Sequence, residues 1–387
     1  MMDTRIFGEE LRNLGFTFFS GVPCSYLKNL INYAINETDY VAAANEGDAV
    51  AIASAASLGG QKSVVLMQNS GLTNAVSPLS SLIHPFRIPL LGFVSLRGEP
   101  GVPDEPQHEL MGRITTQLLE LMEVEWQYLS KDLEEARKQL IHANEQIARN
   151  RPFFFVVKKG TFDAEPLKKQ QNSTHSNQII RHAHKDNQMP ARYEALAVIN
   201  AVKDRDTVQL ATTGKTGREL YEIEDAGNNL YMVGSMGCIG SFGLGLALSQ
   251  PGKNIVVIDG DGSLLMRMGS LATNGYYNPS NMIHILLDNN AHESTGGQST
   301  VSHNVDFVNI AASCGYTKSI HVHNLEELKA CLQQWKESKG LTFLYLKISK
   351  QSKAQLARPS IKPHEVRERL QRFIQNDSVK IKEVDGS

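Results

Sequence analysis

The chain of 387 residues contains 41% hydrophobic and 21% charged residues, a balance that is typical of a globular protein and excludes a disordered or fibrous one. At about 150 residues per domain, this length predicts two or three domains, and we take two as the starting assumption. The formal net charge of -2 gives no overall basic bias, so the composition argues against a nucleic-acid partner.

Short apolar runs recur along the chain, each followed by a turn of small residues and then by a helical pattern. This alternation is typical of a parallel α/β sheet. The runs of the first half are residues 17–20, 40–43, 63–67, 89–94 and 153–157, and those of the second half are residues 207–211, 230–233, 254–258, 282–287 and 341–348. The sequence therefore predicts an α/β protein with two parallel-sheet domains.

A polar segment separates the two predicted sheets. Residues 168–189 are rich in Gln, Asn, Ser, His and Lys and poor in apolar residues, which is the composition of a solvated linker. We therefore expect a first domain over residues 1–167, this linker, a second domain over residues 190–355 and a C-terminal helical tail over residues 356–387. A helical pattern over residues 363–374 predicts that the tail packs on one of the domains.

Polar side chains follow two strands of the first half. Glu46 comes after the run 40–43 and before a series of small residues that predicts a helix. By itself, such a glutamate is most simply interpreted as a favourable charge at a helix N-terminus. The run 63–67 ends in Gln68, Asn69 and Ser70, which are candidates either for contact with a ligand or for capping the next helix.

Two glycine-containing turns of the second half match no nucleotide motif. Residues 211–217 imitate the end of a P-loop, yet Gln209 stands where that motif requires its first glycine. Residues 233–245 are glycine-rich without the GxGxxG spacing of a dinucleotide site. The hydroxyls and amides of the first turn still predict contact with phosphate or phosphonate, through Thr212, Thr213, Gly214 and Thr216.

The strongest signal is a pair of polar turns at two neighbouring strand ends. The run 254–258 leads into Gly260, Asp261 and Gly262, and Ser263 then begins a helix. The run 282–287 leads into residues 288–292, Asp-Asn-Asn-Ala-His. Carboxylate, amide and carbonyl oxygens at one sheet edge suit Mg²⁺, and the glycines let the backbone approach a diphosphate. A tight turn and a capping loop are the alternative interpretation of these two segments.

This pair resembles the Gly-Asp-Gly and Asn signature of the thiamine-diphosphate enzymes. The resemblance implies two cofactor-binding domains, the pyrimidine-binding one first and the diphosphate-binding one second, with no central third domain. It implies that Glu46 is catalytic through a hydrogen bond to the pyrimidine ring of thiamine diphosphate. It also implies metal ligands for Mg²⁺ from Asp261, Asn289 and the carbonyl of Ala291, although the sequence alone leaves Asn290 open.

The resemblance assigns the remaining cofactor contacts to the strand ends. Met236 would lie beneath the cofactor rings, with core packing as its alternative role. The other candidates for cofactor binding are Gln68, Asn69, Ser70, Thr213, Gly214, Gly234, Ser235, Gly260, Gly262 and Ser263. His292, Glu293 and Ser294 are candidates for catalytic groups that orient the substrate or transfer protons.

Local motifs narrow the resemblance to the compact decarboxylases of phosphonopyruvate and sulfopyruvate. These motifs are residues 20–27 (Ser-Gly-Val-Pro-Cys-Ser-Tyr-Leu), 97–101 (Arg-Gly-Glu-Pro-Gly), 104–108 (Asp-Glu-Pro-Gln-His), 213–221 (Thr-Gly-Lys-Thr-Gly-Arg-Glu-Leu-Tyr) and 291–298 (Ala-His-Glu-Ser-Thr-Gly-Gly-Gln). The resemblance implies a small 2-oxo acid substrate, 3-phosphonopyruvate, that is converted to phosphonoacetaldehyde and CO₂. Cations and polar groups must then hold the phosphonate, and the candidates are Ser25, Lys28, Arg97, His108, Lys215 and Arg218. Sulfopyruvate decarboxylation, carboligation and an inert cofactor-binding protein are the alternatives.

The same resemblance implies a homo-oligomer, a dimer or larger, with active sites between the first half of one chain and the second half of another.

The four cysteines form no CxxC pair and predict neither a disulfide framework nor a zinc site. No signal-peptide pattern and no apolar run of about 18 residues occur in the sequence. We therefore expect a cytoplasmic protein without a membrane span.

Overall fold

The computed structural model describes residues 1–170, 174–183, 189–351, 353 and 355–384. The chain divides into two compact units, Met1–Asn172 and Ser173–Ser387. Each unit contains its own parallel sheet, which confirms the predicted α/β fold with two sheet-containing units. In the described part of the chain, no helix combines the length and the apolar character that crossing a membrane requires.

The first unit is built on a six-stranded parallel sheet with the strand order β2-β1-β3-β4-β6-β5. Its strands are β1 (Phe16–Gly21), β2 (Asp39–Ala42), β3 (Lys62–Gln68), β4 (Leu91–Ser95), β5 (Glu125–Tyr128) and β6 (Phe153–Val157). All five residues of β6 are buried, as expected for a strand that helices cover on both faces. Gln68 pairs in register with Ser95, so these strands end at one common edge.

The part of the first unit that the structure describes contains seven α-helices beside this sheet. They are α1 (Thr4–Asn13), α2 (Lys28–Glu37), α3 (Glu46–Leu58), α4 (Asn69–Pro78), α5 (His84–Phe86), α6 (Glu109–Leu121) and α7 (Leu133–Ala148), with a π-helix at Leu79–Ile83 and a 3₁₀ turn at Pro106–His108. Helix α3 consists largely of small residues and is buried from Gly47 to Leu58. Small side chains allow this close packing, and Asn45 caps the helix by accepting a hydrogen bond from the Asp48 N–H.

The second unit is built on a seven-stranded parallel sheet with the order β7-β14-β15-β11-β10-β8-β9. Its strands are β7 (Gln178–Arg181), β8 (Thr207–Ala211), β9 (Asn229–Tyr231), β10 (Asn254–Gly260), β11 (Met282–Asp288), β14 (Lys318–Val322) and β15 (Thr342–Lys347), and a separate hairpin is formed by β12 (Ala291–His292) and β13 (Gln298–Ser299). The central strands β10 and β11 are almost entirely buried. Their register pairs Gly260 with Leu287, which aligns the polar turns that follow them.

Eight α-helices occur in the described residues of the second unit. They are α8 (Arg192–Val202), α9 (Lys215–Ile223), α10 (Ile239–Ser249), α11 (Asp261–Met266), α12 (Ser270–Tyr277), α13 (Phe307–Ser313), α14 (Leu325–Ser338) and α15 (Pro363–Val384), and two 3₁₀ turns lie at Glu293–Thr295 and Ser302–Asn304. The C-terminal helix α15 buries Val366 and Leu370, so the predicted tail helix packs within the second unit. It begins at the predicted residue and extends further than the pattern indicated.

Three strands of the two parallel sheets were not predicted. Strand β7 lies inside the segment interpreted as a linker, where Ile179 and Ile180 are surrounded by polar residues. Strand β5 alternates Glu, Trp, Gln and Tyr at the edge of its sheet, and β14 contains lysine, serine and histidine. Short strands with so few apolar residues give a weak sequence pattern, and backbone pairing with a neighbouring strand decides their conformation instead.

Candidate active site

Asp261 lies at the carboxyl end of β10 and begins helix α11. Its carboxylate is buried, and its Oδ2 accepts hydrogen bonds from Thr300 Oγ1 and, at 2.9 Å, from Ser302 Oγ. Burial raises the pKa of Asp261 above its ordinary value, and the negative charge of Asp288 acts in the same direction. A buried carboxylate with an acidic neighbour is stabilised in its charged form by a cation, which agrees with a metal ligand at this position.

The two asparagines after β11 have different surroundings. Both ends of the Asn290 amide are engaged, since Nδ2 donates to Ser302 and Oδ1 accepts from Lys347. The Oδ1 of Asn289 accepts a hydrogen bond from the Ala291 N–H at 3.1 Å, and its buried Nδ2 has no partner within the described residues. Asn290 is therefore committed to the protein's own network, and the arrangement favours Asn289 as the metal ligand.

Asp288 supports this turn without facing the cleft. It accepts hydrogen bonds from Tyr345 Oη at 2.8 Å, Lys347 Nζ at 3.0 Å and the Asn290 N–H at 2.8 Å. Lys347 neutralises the carboxylate of Asp288. The negative charge of Asp261 is therefore left for a divalent cation to compensate. Sequence reasoning included Asp288 in the polar turn without giving it a role, and it did not identify Tyr345, Lys347, Thr300 or Ser302 as part of the site.

One cleft of the second unit contains most of the residues predicted there. Its lining consists of Arg192, Thr212, Thr213, Gly214, Lys215, Thr216, Met236, Gly260, Asp261, Gly262, Ser263, Leu287, Asn289, Ala291, His292, Glu293 and Ser294. Among these, only Arg192 and Leu287 had no predicted contact with a ligand. Gly234, Ser235 and Arg218 do not line the cleft, and Arg218 instead lines a neighbouring cavity.

The glycine-rich turn after β9 positions Met236. Ser235 adopts a left-handed conformation with φ 50°, and Gly237 follows with φ 93°. The Gly237 N–H donates to Ser263 Oγ at 3.1 Å, and that hydroxyl also lies 2.9 Å from Thr212 Oγ1. Ser263 therefore joins three strand ends, and its hydroxyl group is engaged in these two hydrogen bonds.

A close approach between Gly262 and His292 shapes one side of the cleft. A Cβ atom at position 262 would lie 2.5 Å from Cε1 of His292 and 3.2 Å from Thr300. Only glycine therefore permits this histidine to lie against the turn that carries Asp261. The hairpin of β12 and β13 holds His292 in place by pairing it with Gln298.

Glu293 belongs to a buried cluster with two partners that sequence reasoning did not connect. Its carboxylate accepts a hydrogen bond from Arg192 at 2.5 Å, and Arg192 Nε donates to Glu219 at 3.1 Å. Arg192 is only 6% exposed, and Glu219 is fully buried. Burial raises the pKa of Glu219, while Arg192 opposes that shift. The cluster joins α8, α9 and the turn after His292, so Glu293 is a charged anchor for this turn.

Replacing Arg192 with Met is expected to lower the free energy of unfolding by about 3 kcal/mol, because it leaves buried carboxylates without their cation. The pKa of Glu219 is already above its ordinary value in the folded protein. The contribution of this carboxyl group to stability therefore decreases as the pH rises from its ordinary pKa to its pKa in the folded protein. The destabilisation should therefore be larger at about pH 8 than at about pH 5.5 in urea unfolding experiments.

Two further variants control this prediction. Adding Glu219→Gln to Arg192→Met should restore part of the lost stability, because the pair is coupled. Arg181→Met removes an exposed pair with Asp306 and should change stability by about 1 kcal/mol or less. If Arg192→Met and Arg181→Met lowered the free energy of unfolding equally, the buried cluster would stabilise the protein no more than an exposed ion pair does.

In the first unit, Glu46 begins helix α3 at the end of the loop that follows β2. Its Oε2 accepts a hydrogen bond from Asn74 Nδ2 at 2.8 Å. Helix α4 passes directly beside the carboxylate at Gly71, where a Cβ atom would lie 2.1 Å from Oε1. Asn74 and Gly71 therefore fix the position of Glu46, and neither residue was identified from the sequence.

The resemblance assigns Glu46 a catalytic role, so replacing Gly71 with Ala is expected to lower kcat by about tenfold or more, because the new methyl group displaces the Glu46 carboxylate. Stability should stay the same or rise, since Ala has about 1 kcal/mol better helix propensity than Gly. Steady-state kinetics and thermal unfolding separate the two effects. Gly252→Ala is the control, because its Cβ would meet no atom within 4 Å; unchanged kcat in Gly71→Ala would contradict the prediction.

The polar turn after β3 only partly agrees with its predicted role. Asn69 is fully buried, and its Nδ2 donates to the Arg97 carbonyl at 2.8 Å and to Thr115 at 3.1 Å. The Nδ2 atom of Asn69 is therefore engaged inside the unit, whereas its buried Oδ1 has no hydrogen-bond partner within the described residues, and the cofactor contact of Asn69 stays a prediction. Gln68 donates to Ser70 Oγ at 2.7 Å, and this pair lies on the accessible side of the turn.

Arg97 is not a free cation for the substrate. Its guanidinium donates to both oxygens of Asp104 and to Ser25 Oγ, and it lies 4.8 Å from the centre of the Tyr26 ring. The hydrogen bonds from Arg97 hold the pKa of Asp104 well below its usual range. The predicted direct contact with phosphonate is therefore weakened, because a strong ion pair already neutralises Arg97.

The other candidates of the first unit have mixed surroundings. Lys28 is exposed at the start of α2, where it is accessible to a ligand. His108 is 7% exposed, and its Nδ1 has no hydrogen-bond partner within the described residues. Cys24 is buried with its Sγ 3.3 Å from Ser95 Oγ, and burial raises the pKa of this thiol. A reactive thiolate at Cys24 is therefore disfavoured.

The cleft of the second unit fits a metal ion together with a phosphate ligand. The described residues contain no cluster of three or more His, Cys, Asp and Glu side chains that could hold a metal by themselves. One carboxylate, one amide oxygen and one backbone carbonyl leave several positions of an octahedral Mg²⁺ open. Diphosphate oxygens and water are the ligands that such a partial set requires, and Gly260 and Gly262 keep the adjacent backbone accessible.

Comparisons with known proteins agree with this geometry. Residues 4–118 match the family model "Thiamine pyrophosphate enzyme, N-terminal TPP binding domain", and residues 213–346 match "Thiamine pyrophosphate enzyme, C-terminal TPP binding domain". The phosphonopyruvate decarboxylase of Streptomyces viridochromogenes is 42% identical over 370 residues, which cover 94% of this chain and 93% of that protein. The sulfopyruvate decarboxylase of Methanosarcina acetivorans is 28% identical over 87% of this chain and 89% of that protein.

The fold also agrees with a solved structure. The crystal structure of benzoylformate decarboxylase from Polynucleobacter necessarius matches with a TM-score of 0.71 and 14% identity, and the match covers 92% of this chain and all of that one. At this identity the likeness concerns the fold alone. The two family models and the full-length relatives together show that the chain belongs to the thiamine-pyrophosphate-dependent enzymes, in the family of the phosphonopyruvate decarboxylases.

Proposed function

We propose that this protein decarboxylates 3-phosphonopyruvate to phosphonoacetaldehyde and CO₂, with thiamine diphosphate and Mg²⁺ as cofactors. The observation that carries the proposal is the cleft in which Asp261, Asn289 and the Ala291 backbone lie beside the glycines of the β10 turn. The named relative with 42% identity over nearly the whole chain supports the choice of substrate.

The second unit would hold the metal and the diphosphate. Asp261 provides a charged oxygen, Asn289 an amide oxygen and Ala291 a backbone carbonyl, the ligand types that Mg²⁺ prefers. The diphosphate would lie against Gly260 and Gly262, with further contacts from Thr213, Gly214 and Lys215 at the end of β8. When bound, thiamine diphosphate supplies the carbon nucleophile and takes up the electron pair that departing CO₂ leaves behind.

Glu46 would bind the pyrimidine ring of the cofactor by a hydrogen bond. Asn74 donates to one of its oxygens, so the other oxygen is available to exchange a proton with a ring nitrogen. Gly71 keeps helix α4 close and limits the movement of this carboxylate. The role of Glu46 is thus to hold and transfer one proton at a fixed position.

The turn over residues 292–294 would act on the substrate. His292 lines the cleft next to Asp261, where it can donate a proton before the aldehyde product leaves. Glu293 positions this turn through Arg192, and Ser294 is exposed beside Gly214, where it can donate a hydrogen bond to the substrate carboxylate. These assignments give His292 the proton transfer and Glu293 the positioning.

We also propose a homo-oligomer, a dimer or larger, that acts in the cytoplasm. Glu46 and Asp261 belong to different units, and family members place such groups together from two chains. The four cysteines are free thiols, which suits a reducing compartment. Sedimentation of the active enzyme should give a mass of at least two chains, whereas a fully active monomer would contradict this proposal.

Sulfopyruvate decarboxylation is the second candidate, because a relative of that name matches 87% of the chain. The lower identity of 28% makes it the weaker candidate. Parallel kinetics on phosphonopyruvate, sulfopyruvate and pyruvate decide between them. We expect kcat/KM for phosphonopyruvate to exceed kcat/KM for sulfopyruvate by about tenfold or more, since the extra negative charge of the phosphonate strengthens hydrogen bonds to cations. A preference for sulfopyruvate would reverse the assignment, and release of larger condensation products would indicate carboligation.

A further inference from the structure

A second cavity of the C-terminal unit opens beside the cleft. Its volume is about 410 Å³, and it lies at the ends of β8 and β9. Thr213 and Gly214 line both the cleft and this cavity. A small ligand that is anchored in the cleft therefore has room to extend into the cavity along the same edge of the sheet.

Two arginines line the cavity, Arg218 on α9 and Arg358 in the segment before α15. Neither guanidinium group has a hydrogen bond or an ion pair with any described residue of the chain. Arg192 in the adjacent cleft is different, because Glu219 and Glu293 neutralise it. Two unneutralised positive charges on one cavity favour the binding of an anion.

The segment that carries Arg358 is attached to the helix that carries Arg218. The Ala357 N–H donates to Oε1 of Glu222 at 2.9 Å, and the hydroxyls of Ser360 and Tyr221 lie 3.1 Å apart. Glu222 and Tyr221 both belong to α9. These bonds fix the backbone on both sides of Arg358, so less conformational freedom is lost when its guanidinium binds a ligand.

Apolar groups form much of the remaining wall. Met232, Val233, Pro359 and Ile361 line the cavity, and Val233 is 50% exposed although it is a large apolar residue. Arg358 is exposed, so the apolar wall strengthens hydrogen bonds between the guanidinium groups and an anion once a bound ligand excludes water from the cavity. The cavity therefore suits a compact anionic group.

We propose that Arg218 and Arg358 bind the phosphonate group of the substrate, while its 2-oxo acid end lies on the side of the cleft that His292 and Ser294 line. This inference rests on the proposed function. Three phosphonate oxygens carrying up to two negative charges can accept paired N–H bonds from two planar guanidinium groups. The methyl group of pyruvate offers no such acceptor, so the two arginines determine the preference for a phosphonate substrate.

The experiment compares Arg358→Gln, Arg218→Gln and Arg358→Lys with wild type in steady-state kinetics. Each Gln variant should raise KM for phosphonopyruvate and lower the ratio of kcat/KM for phosphonopyruvate to that for pyruvate by about 10- to 100-fold. Arg358→Lys should recover only part of this loss, because the charge is retained without the planar donor pair. Lys362→Gln is the matched control, an exposed cation of the same segment that does not line the cavity.

A binding measurement makes the inference independent of turnover. Calorimetric titration of the cofactor-loaded enzyme with 3-phosphonopropionate, which cannot be decarboxylated in this way, should show about tenfold weaker binding in Arg358→Gln. If both Gln variants kept the affinity for the analogue and the ratio of kcat/KM for phosphonopyruvate to that for pyruvate, the assignment of the two arginines would be overturned. Conversion of phosphonopyruvate by the wild type would in that case still support the proposed function. Failure of wild type to convert phosphonopyruvate would contradict the proposed function itself.

Discussion

Replacing Glu46 with Gln is expected to lower kcat by about a thousandfold, within the usual range for the loss of one proton-transferring group. Gln keeps the size of the side chain and can still accept from Asn74, but it cannot exchange a proton with the cofactor ring. Single-turnover measurements with saturating thiamine diphosphate and Mg²⁺ would show the loss in the chemical step. KM for the substrate should change much less than kcat.

The control for this variant is Glu109→Gln, which also removes a carboxylate from the first turn of a helix in the same unit. Glu109 is exposed, and among the described residues it pairs only with Arg113, four residues further along the helix. Its replacement should leave kcat unchanged. If Glu46→Gln retained wild-type kcat, the carboxylate would be no more than a favourable charge at the N-terminus of α3, and the proposed mechanism would be wrong.

Replacing Asp261 with Asn is expected to lower activity by at least about a hundredfold, because the only charged metal ligand of the proposed set is lost. In wild type, Mg²⁺ with thiamine diphosphate should raise the midpoint of thermal unfolding, since a ligand that binds the folded state stabilises it. The variant should show little of this increase. Without ligands it should be as stable as wild type, because a buried charge next to Asp288 has been removed.

Asp39→Asn provides the control for Asp261→Asn, because Asp39 is an exposed carboxylate at the start of β2. It should retain both activity and the stabilisation by Mg²⁺. A normal rise of the unfolding midpoint in Asp261→Asn would contradict the metal assignment. A comparable experiment with Asn289→Ala and Asn290→Ala separates a direct ligand from a supporting residue: only the first should abolish the Mg²⁺ effect while leaving the unliganded protein stable.

The positions of the main chemical groups could be predicted because they follow strongly apolar strands. In a parallel sheet, every strand ends at the same edge, so a polar turn after β10 and another after β11 must come close together. The expectation that Asp261 lies close to the turn with Asn289 and Asn290 therefore follows from local sequence, whereas the choice of Asn289 over Asn290 rested on the resemblance. Glu46 was assigned by resemblance, and its position after β2 agrees with that assignment.

The supporting residues could not be predicted in the same way. Thr300 and Ser302 reach Asp261 only because the β12–β13 hairpin folds back, and Arg192 reaches Glu293 across 101 residues of sequence. Arg97 was a candidate for holding the phosphonate, yet Asp104 neutralises it from a loop whose conformation no periodic pattern encodes. Such contacts depend on tertiary packing, which the spacing of residues along one element does not reveal.

The most direct test of the central claim is phosphorus NMR of the purified protein supplied with phosphonopyruvate, thiamine diphosphate and Mg²⁺. The account predicts that the phosphonopyruvate signal is replaced by that of phosphonoacetaldehyde, with equimolar release of CO₂. Omission of Mg²⁺ or replacement of Glu46 with Gln should prevent this conversion. Persistence of the phosphonopyruvate signal in the complete reaction, with the protein folded and cofactor bound, would contradict the account.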